Sequence, residues 1–162
     1  VKRVSVQGFS LVELLVSFTV IAVLSAVFLD RIALYREQAE RVAFNAVLDA
    51  IRTGLRLQQA MILLKEGPKG LPRMADTNPM EVLHEFPSNY LGELSEGHDE
   101  KGGWIYDRDG KRLIYRPDLR RYLEVPSGAM ELHFRVMVVS GGSGGVVLMP
   151  AEEYRWFQPA VK

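Results

Sequence analysis

The sequence predicts an α+β protein. A long N-terminal α-helix, half membrane-spanning and half amphipathic, packs on a C-terminal antiparallel β-sheet. Three observations carry this. Apolar residues crowd into positions 9–29, a three-and-four periodicity continues from there to about residue 65, and alternating strand patterns follow from residue 104.

Averages conceal this organisation. The 162 residues include twenty basic and twenty acidic side chains and no cysteine, and the mean hydropathy is zero. Such a length suits one compact domain with an appendage, and balanced charge argues against a chain built mainly to hold nucleic acid. Lack of thiols removes disulfides, thiolate zinc sites and cysteine nucleophiles.

From Phe9 to Leu29 there are 21 residues with one charge, Glu13. As a helix this stretch spans roughly 30 Å, the thickness of a bilayer's hydrocarbon core. Apolar residues cover all its faces, as lipid or a wholly buried bundle requires. Lys2 and Arg3 precede it, so the positive-inside bias places the N-terminus in the cytoplasm and the remainder across the membrane. Residues 30–162 carry 18 basic and 19 acidic side chains, the balance of a soluble head. A cleaved secretory signal would use Val23-Leu24-Ser25, a poor site, and a plain anchor leaves Glu13 unexplained. A carboxylate inside a membrane span costs a few kcal/mol unless paired or protonated, so Glu13 calls for a function. Snorkelling to the interface is the bland alternative.

Gly8-Phe9-Ser10-Leu11-Val12-Glu13-Leu14-Leu15-Val16, behind a short basic leader, resembles the processing and assembly motif of type IV prepilins and type II secretion pseudopilins. The resemblance implies a leader at 1–8, cut between Gly8 and Phe9 by a membrane-embedded prepilin peptidase, with N-methylation of Phe9. It implies that Glu13 pairs with the N-terminal amine of a neighbouring subunit as subunits enter a filament. Gly8 also has a local rationale, because it fits a narrow protease cleft in an extended conformation. Val1 is what a GTG start codon gives when read literally, so Met is the expected first residue. Many pilins kink the helix with a proline just beyond the membrane; here the first proline is Pro68. That departure, with the lack of a C-terminal cysteine pair, points to a minor pilin or pseudopilin.

The amphipathic continuation spans 30–66. Its apolar face is read as Ile32, Tyr35, Ala39, Val42, Ala46, Ala50, Gly54 and Gln58, flanked by Ala43, Val47, Ile51, Leu55 and Ile62. Arg36 with Glu40 and Glu37 with Arg41 read as charge pairs on the solvated side. Gly67-Pro68 ends the helix, giving a rod of roughly 85 Å from Phe9 to Lys65. The head, 67–162, divides into a connector at 67–103, a sheet at 104–150 and a tail at 151–162. The connector is expected to hold a short helix near 78–85. Trp104 to Arg116 reads as a hairpin around Asp109-Gly110, a pattern similar to pilin and pseudopilin heads. Further strands are expected near 121–125, 131–139 and 146–149, the last two flanking the Gly/Ser link 141–145.

The remaining candidates are weak. Asp107 and Asp109 form part of a calcium-loop pattern without its third donor or distal Glu, so an ordinary turn is expected and no metal or other cofactor. His84, His98 and His133 match no zinc spacing. The Gly/Ser link lacks the Lys-Ser/Thr ending of a phosphate loop, and no nucleophile lies in a recognisable catalytic setting. Lys111, Arg112, Arg116, Arg120 and Arg121 surround Tyr106, Tyr115 and Tyr122, the composition of a single-strand-binding surface, but interspersed acids favour a mixed sheet face.

The sequence therefore leads to a non-enzymatic filament subunit in the bacterial inner membrane, its head outside the cytoplasm. Its expected partners are the peptidase, other pilins or pseudopilins and the assembly platform. A DNA-binding or adhesive pilin is the rival, and a singly anchored extracytoplasmic enzyme the third reading.

Overall fold

The computed structural model describes residues 10–94, 101–139 and 145–157. Helix α1 runs from Leu11 to Glu66, and the chain divides into two units, Val1–Arg36 and Glu37–Lys162. Across residues 10–31 every side chain of the first unit is exposed, the apolar ones included.

In the second unit, α1 ends at Glu66 because Gly67 turns to φ 71, outside the right-handed helical region, and Pro68 has no N–H with which to continue the α-helical ladder. Among the described residues seven strands follow: β1 (Tyr90–Glu93), β2 (Gly103–Asp107), β3 (Arg112–Arg116), β4 (Leu123–Glu124), β5 (Leu132–Val139), β6 (Gly145–Pro150) and β7 (Arg155–Trp156). Five form one sheet in the order β1-β2-β3-β5-β6, while β4 and β7 pair separately. The sheet is mixed where an antiparallel one was expected, because β1 runs parallel to β2. The predicted hairpin is present as β2–β3 in full register, from Gly103 against Arg116 to Asp107 against Arg112.

The connector holds more structure than a loop. Pro68–Asp76 forms a 3-10 helix that buries Leu71 and Met74. The helix expected at 78–85 is a shorter 3-10 turn, Pro79–Val82, capped by the Asn78 side chain accepting from the Met80 N–H at 3.0 Å. The strand expected at 121–125 contracts to Leu123–Glu124, and its partner β7 lies in the tail.

The core is built on one aromatic residue. Phe44 stacks on Trp104 at 5.3 Å and touches Tyr115, Phe134, Tyr154 and Trp156 at 4.7 to 6.0 Å. Such ring pairs contribute about 0.5–1.5 kcal/mol each beyond the area they bury. With Leu48, Ile51 and Leu55, Phe44 presents the buried stripe of α1 to Leu113, Leu132 and Leu148. The apolar face read from the sequence is thus rotated. Tyr35, Val42, Ala46 and Ala50 are exposed, whereas only Ile51 and Leu55 of that set are buried. With apolar residues on more than half of the helix circumference, periodicity identifies a helix but not the side its sheet covers. Gly54 has a separate role: a Cβ there would lie 2.5 Å from Val82 Cγ2 and 2.9 Å from its carbonyl oxygen, so the glycine admits the Pro79–Val82 turn against α1.

Candidate processing and assembly site

The cleavage pair Gly8 and Phe9, together with Lys2 and Arg3, lies outside the described residues. Glu13 is described and sits in the first turn of α1, just after the Ser10 carbonyl accepts its first helical hydrogen bond from the Leu14 N–H at 3.0 Å. Its neighbours Leu11, Val12, Leu14, Leu15 and Val16 are all exposed. A carboxylate in a helix's first turn is favoured by the unpaired N–H groups there, by about 0.3–1 kcal/mol in water. That falls short of the few kcal/mol which burial in lipid costs. Among the described residues Glu13 makes no hydrogen bond or ion pair. Farther along, the Thr19 hydroxyl donates to the Leu15 carbonyl at 2.9 Å, so this polar group is satisfied by its own helix. The helix is long and apolar enough near its N-terminus to cross a membrane.

Two other glutamates of α1 behave differently, and the sequence reading misplaced both. Glu37 is only 3% exposed rather than on a solvated face. Its Oε1 accepts from the Tyr122 N–H at 2.7 Å and the Trp156 indole N–H at 3.3 Å. Glu40, one turn on, accepts from the Tyr115 hydroxyl at 2.9 Å and from the N–H groups of Asp118 and Leu119 at 2.7 and 3.0 Å. Burial, then the Glu40 carboxylate, pushes the Tyr115 hydroxyl far above its ordinary pKa and keeps it a donor. Arg41 reaches the Trp156 carbonyl instead of Glu37. Charge spacing of four matches a surface ion pair equally well, so only the position of the aromatic core distinguishes the two arrangements.

The remaining candidates occupy structural positions. Asp107 Oδ1 accepts from the Gly110 N–H at 2.9 Å and Oδ2 from Arg112 at 2.7 Å, so both oxygens are engaged within the β2–β3 turn. The Gly110 hydrogen bond, with help from Arg112, holds its carboxyl below the usual range although burial opposes this. Gly110 is needed for space, since a Cβ would meet Asp107 Oδ2 at 2.4 Å; the positive φ of this turn falls on Lys111 instead. Asp109 is exposed.

His133 Nδ1 lies 2.7 Å from Glu152, and Nε2 lies 3.5 Å from Glu131, which also binds Arg116. His84 is exposed and distant in sequence, and His98 lies outside the described residues. No group of three potential metal-binding side chains occurs among the described residues. Of the Gly/Ser link 141–145, residues 141–144 likewise lie outside them.

The basic surface lacks its aromatic half. Tyr106 and Tyr115 point into the core, leaving Tyr122, with Arg121 5.9 Å from its ring, as the stacking partner on offer. Lys111 pairs with Asp76, Arg112 with Asp107 and Arg116 with Glu131.

Residues 3–29 match the family model described as the prokaryotic N-terminal methylation motif. The chain therefore carries the class III signal of type IV pilins and pseudopilins, followed by a long helix and mixed sheet of pilin-like architecture. A motif of this type implies a prepilin peptidase substrate and a filament of pilins. No curated protein and no solved structure matches the chain.

Proposed function

We propose that this chain is a structural subunit, a minor pilin or pseudopilin, of a type IV pilus or type II secretion pseudopilus. The observation that carries the reading is Glu13, a charge set in a fully exposed apolar helix directly inside a matched methylation signal. The precursor lies in the inner membrane with its N-terminus in the cytoplasm, as Lys2 and Arg3 favour. Removal of 1–8 leaves a positive amine on Phe9, and N-methylation keeps that charge. Glu13 then pairs with the amine of a neighbouring subunit, offsetting the desolvation each charge suffers alone. The pairing fixes axial stagger while the apolar helices exchange lipid for one another. A structural rather than catalytic role is supported by the head's chemistry, because Glu37, Glu40, Asp107 and Glu152 are each engaged in holding the fold.

The test uses the full chain in cells that make the filament. Gly8→Arg should leave the protein at precursor size, and mature-sized protein would overturn the processing step. Glu13→Ala should be inserted and cut normally, yet be depleted at least about tenfold from the sheared filament fraction, since an unpaired membrane charge loses a few kcal/mol of pairing. Normal incorporation would overturn the assembly role.

A further inference from the structure

Arg120 is a half-buried cation whose donors are poorly matched. Its Nη2 donates to the Ala129 carbonyl at 3.1 Å and its Nη1 to the thioether sulfur of Met130. Its Nε is buried and, among the described residues, has no acceptor. Nor does Arg120 make an ion pair among them. A thioether is a weak acceptor, well below a carbonyl or a carboxylate. The arrangement is nevertheless fixed from both sides. Glu40 holds the N–H groups of Asp118 and Leu119, Glu37 holds that of Tyr122, and the Leu123 N–H donates to the Arg120 carbonyl at 3.3 Å. On the facing segment, the Gly128 N–H closes a turn on the Val125 carbonyl at 2.8 Å, and Glu131 is bound to Arg116. Ala129 and Met130 are framed between these two ties.

The same sulfur stands out among the six methionines. Met74 and Met80 are buried, and Met61, Met137 and Met149 are 47–52% exposed, whereas Met130 is 73% exposed. Among the described residues it is also the one methionine whose sulfur has a donor. Oxidation of a side-chain sulfur follows its exposure. In a chain without cysteine, methionine is the sulfur on which a peroxide can act. Oxidation changes the match to Arg120. A sulfoxide oxygen is a far stronger acceptor than a thioether, because the polar S–O bond places negative charge on oxygen.

We propose that Met130 is an oxidation site for a peroxide, and that Arg120 holds the sulfoxide formed there. The sulfur lone pair attacks one peroxide oxygen. An S–O bond forms, the O–O bond breaks, and the departing hydroxide takes the proton from the transferred oxygen to leave as water. Sulfur is oxidised by two electrons and the peroxide is reduced by two. A depression of about 210 Å³, which Arg120 and Met130 line with Asp118 and Glu131, leaves room for the added oxygen. Glu131 is engaged by Arg116, and Asp118 makes no ion pair with Arg120. With Nη2 already on the Ala129 carbonyl, the guanidinium needs little further ordering to donate to the new oxygen. The sulfoxide then ties residues 117–122 to residues 126–131. Oxidation, which ordinarily loosens the protein around a methionine, here tightens it.

The test treats the full chain in detergent with hydrogen peroxide until a single oxygen has been added per chain. Peptide masses should place at least about threefold more oxygen on Met130 than on Met61, Met137 or Met149; an even distribution overturns the site. Trypsin cuts after Arg120 only when that side chain is free to enter the protease. Oxidation should therefore slow this cut about threefold, a change of the size one added hydrogen bond brings. An unchanged or faster cut overturns the capture. Met130→Gln places an amide oxygen at similar reach and should slow the cut without peroxide, whereas Met130→Leu should not; equal cutting of the two variants overturns it as well. In Arg120→Lys, which trypsin still cuts, oxidation should give no protection. Protection that persists there means that another group holds the oxygen, and overturns the role of Arg120. None of these readouts depends on a filament, so their failure leaves the role of Glu13 standing.

Discussion

Glu13 and Glu37 are the same residue type on the same helix, in opposite circumstances. Glu37 is buried, and its own chain supplies two N–H donors. Glu13 is exposed among apolar side chains, and none of the described residues supplies it a donor. The contrast extends to the apolar residues around them: Phe44 and Leu48 are enclosed, while Phe18 and Leu24 are bare. The head solves its solvation problem internally. The N-terminal segment, residues 10–31, leaves its own to surroundings outside the described residues.

That comparison can be broken by measurement. The two tryptophans, Trp104 and Trp156, both lie in the head, so urea unfolding of the full chain in detergent, followed by their fluorescence, reports on the head. Phe44→Ala should have the largest effect, a loss of about 3–5 kcal/mol, from the cavity left among five rings. Glu37→Ala should cost about 1–3 kcal/mol for each donor it orphans, with Glu37→Gln milder because an amide oxygen still accepts. Equal urea midpoints for Glu37→Ala and the unaltered chain would erase the distinction between the two glutamates.

Acid supplies a third, smaller effect. Asp107 is held below the usual carboxylate range by the Gly110 N–H and Arg112. Burial pushes Glu152 up, but hydrogen bonds from the His133 ring and backbone outweigh it and leave it low as well. Groups with depressed folded values contribute stability above the ordinary carboxylate range, about pH 4, and lose it as pH falls through the folded values. Stability should therefore fall below about pH 4, and Asp107→Asn should flatten that fall. Val42→Ser, on the exposed side of α1, should change head stability by less than about 0.5 kcal/mol while reducing incorporation into filaments. A large loss of stability there would show that the face belongs to the head's own core.

Legibility in the sequence followed the range of the interactions. The signal around Gly8 and Glu13, the helix stop at Gly67 and the β2–β3 hairpin are local patterns, and neighbouring residues suffice to read them. Strand β1 was missed because Tyr-Leu-Gly-Glu is too short to alternate visibly and is held by pairing with β2 across residues 94–102. Strand β7 was missed for the same reason, its partner being β4. Phe44 gave no sign of its centrality, since the five rings around it come from β2, β3, β5, β7 and the approach to β7. Glu37 and Glu40 were assigned to the surface because charged residues at helical spacing ordinarily lie there; their donors are 75 to 119 residues away.

That last separation has a temporal meaning. During synthesis the apolar segment emerges first, and Glu37 follows soon after it. The indole that completes the environment of Glu37 is made 119 residues later, about 6 to 24 s at ordinary translation rates. Throughout that interval the stripe of Phe44, Leu48, Ile51 and Leu55 waits uncovered for its sheet. The order of manufacture thus separates the making of the apolar segment from closure of the head, and a chaperone that protects bare apolar helix would have seconds in which to act.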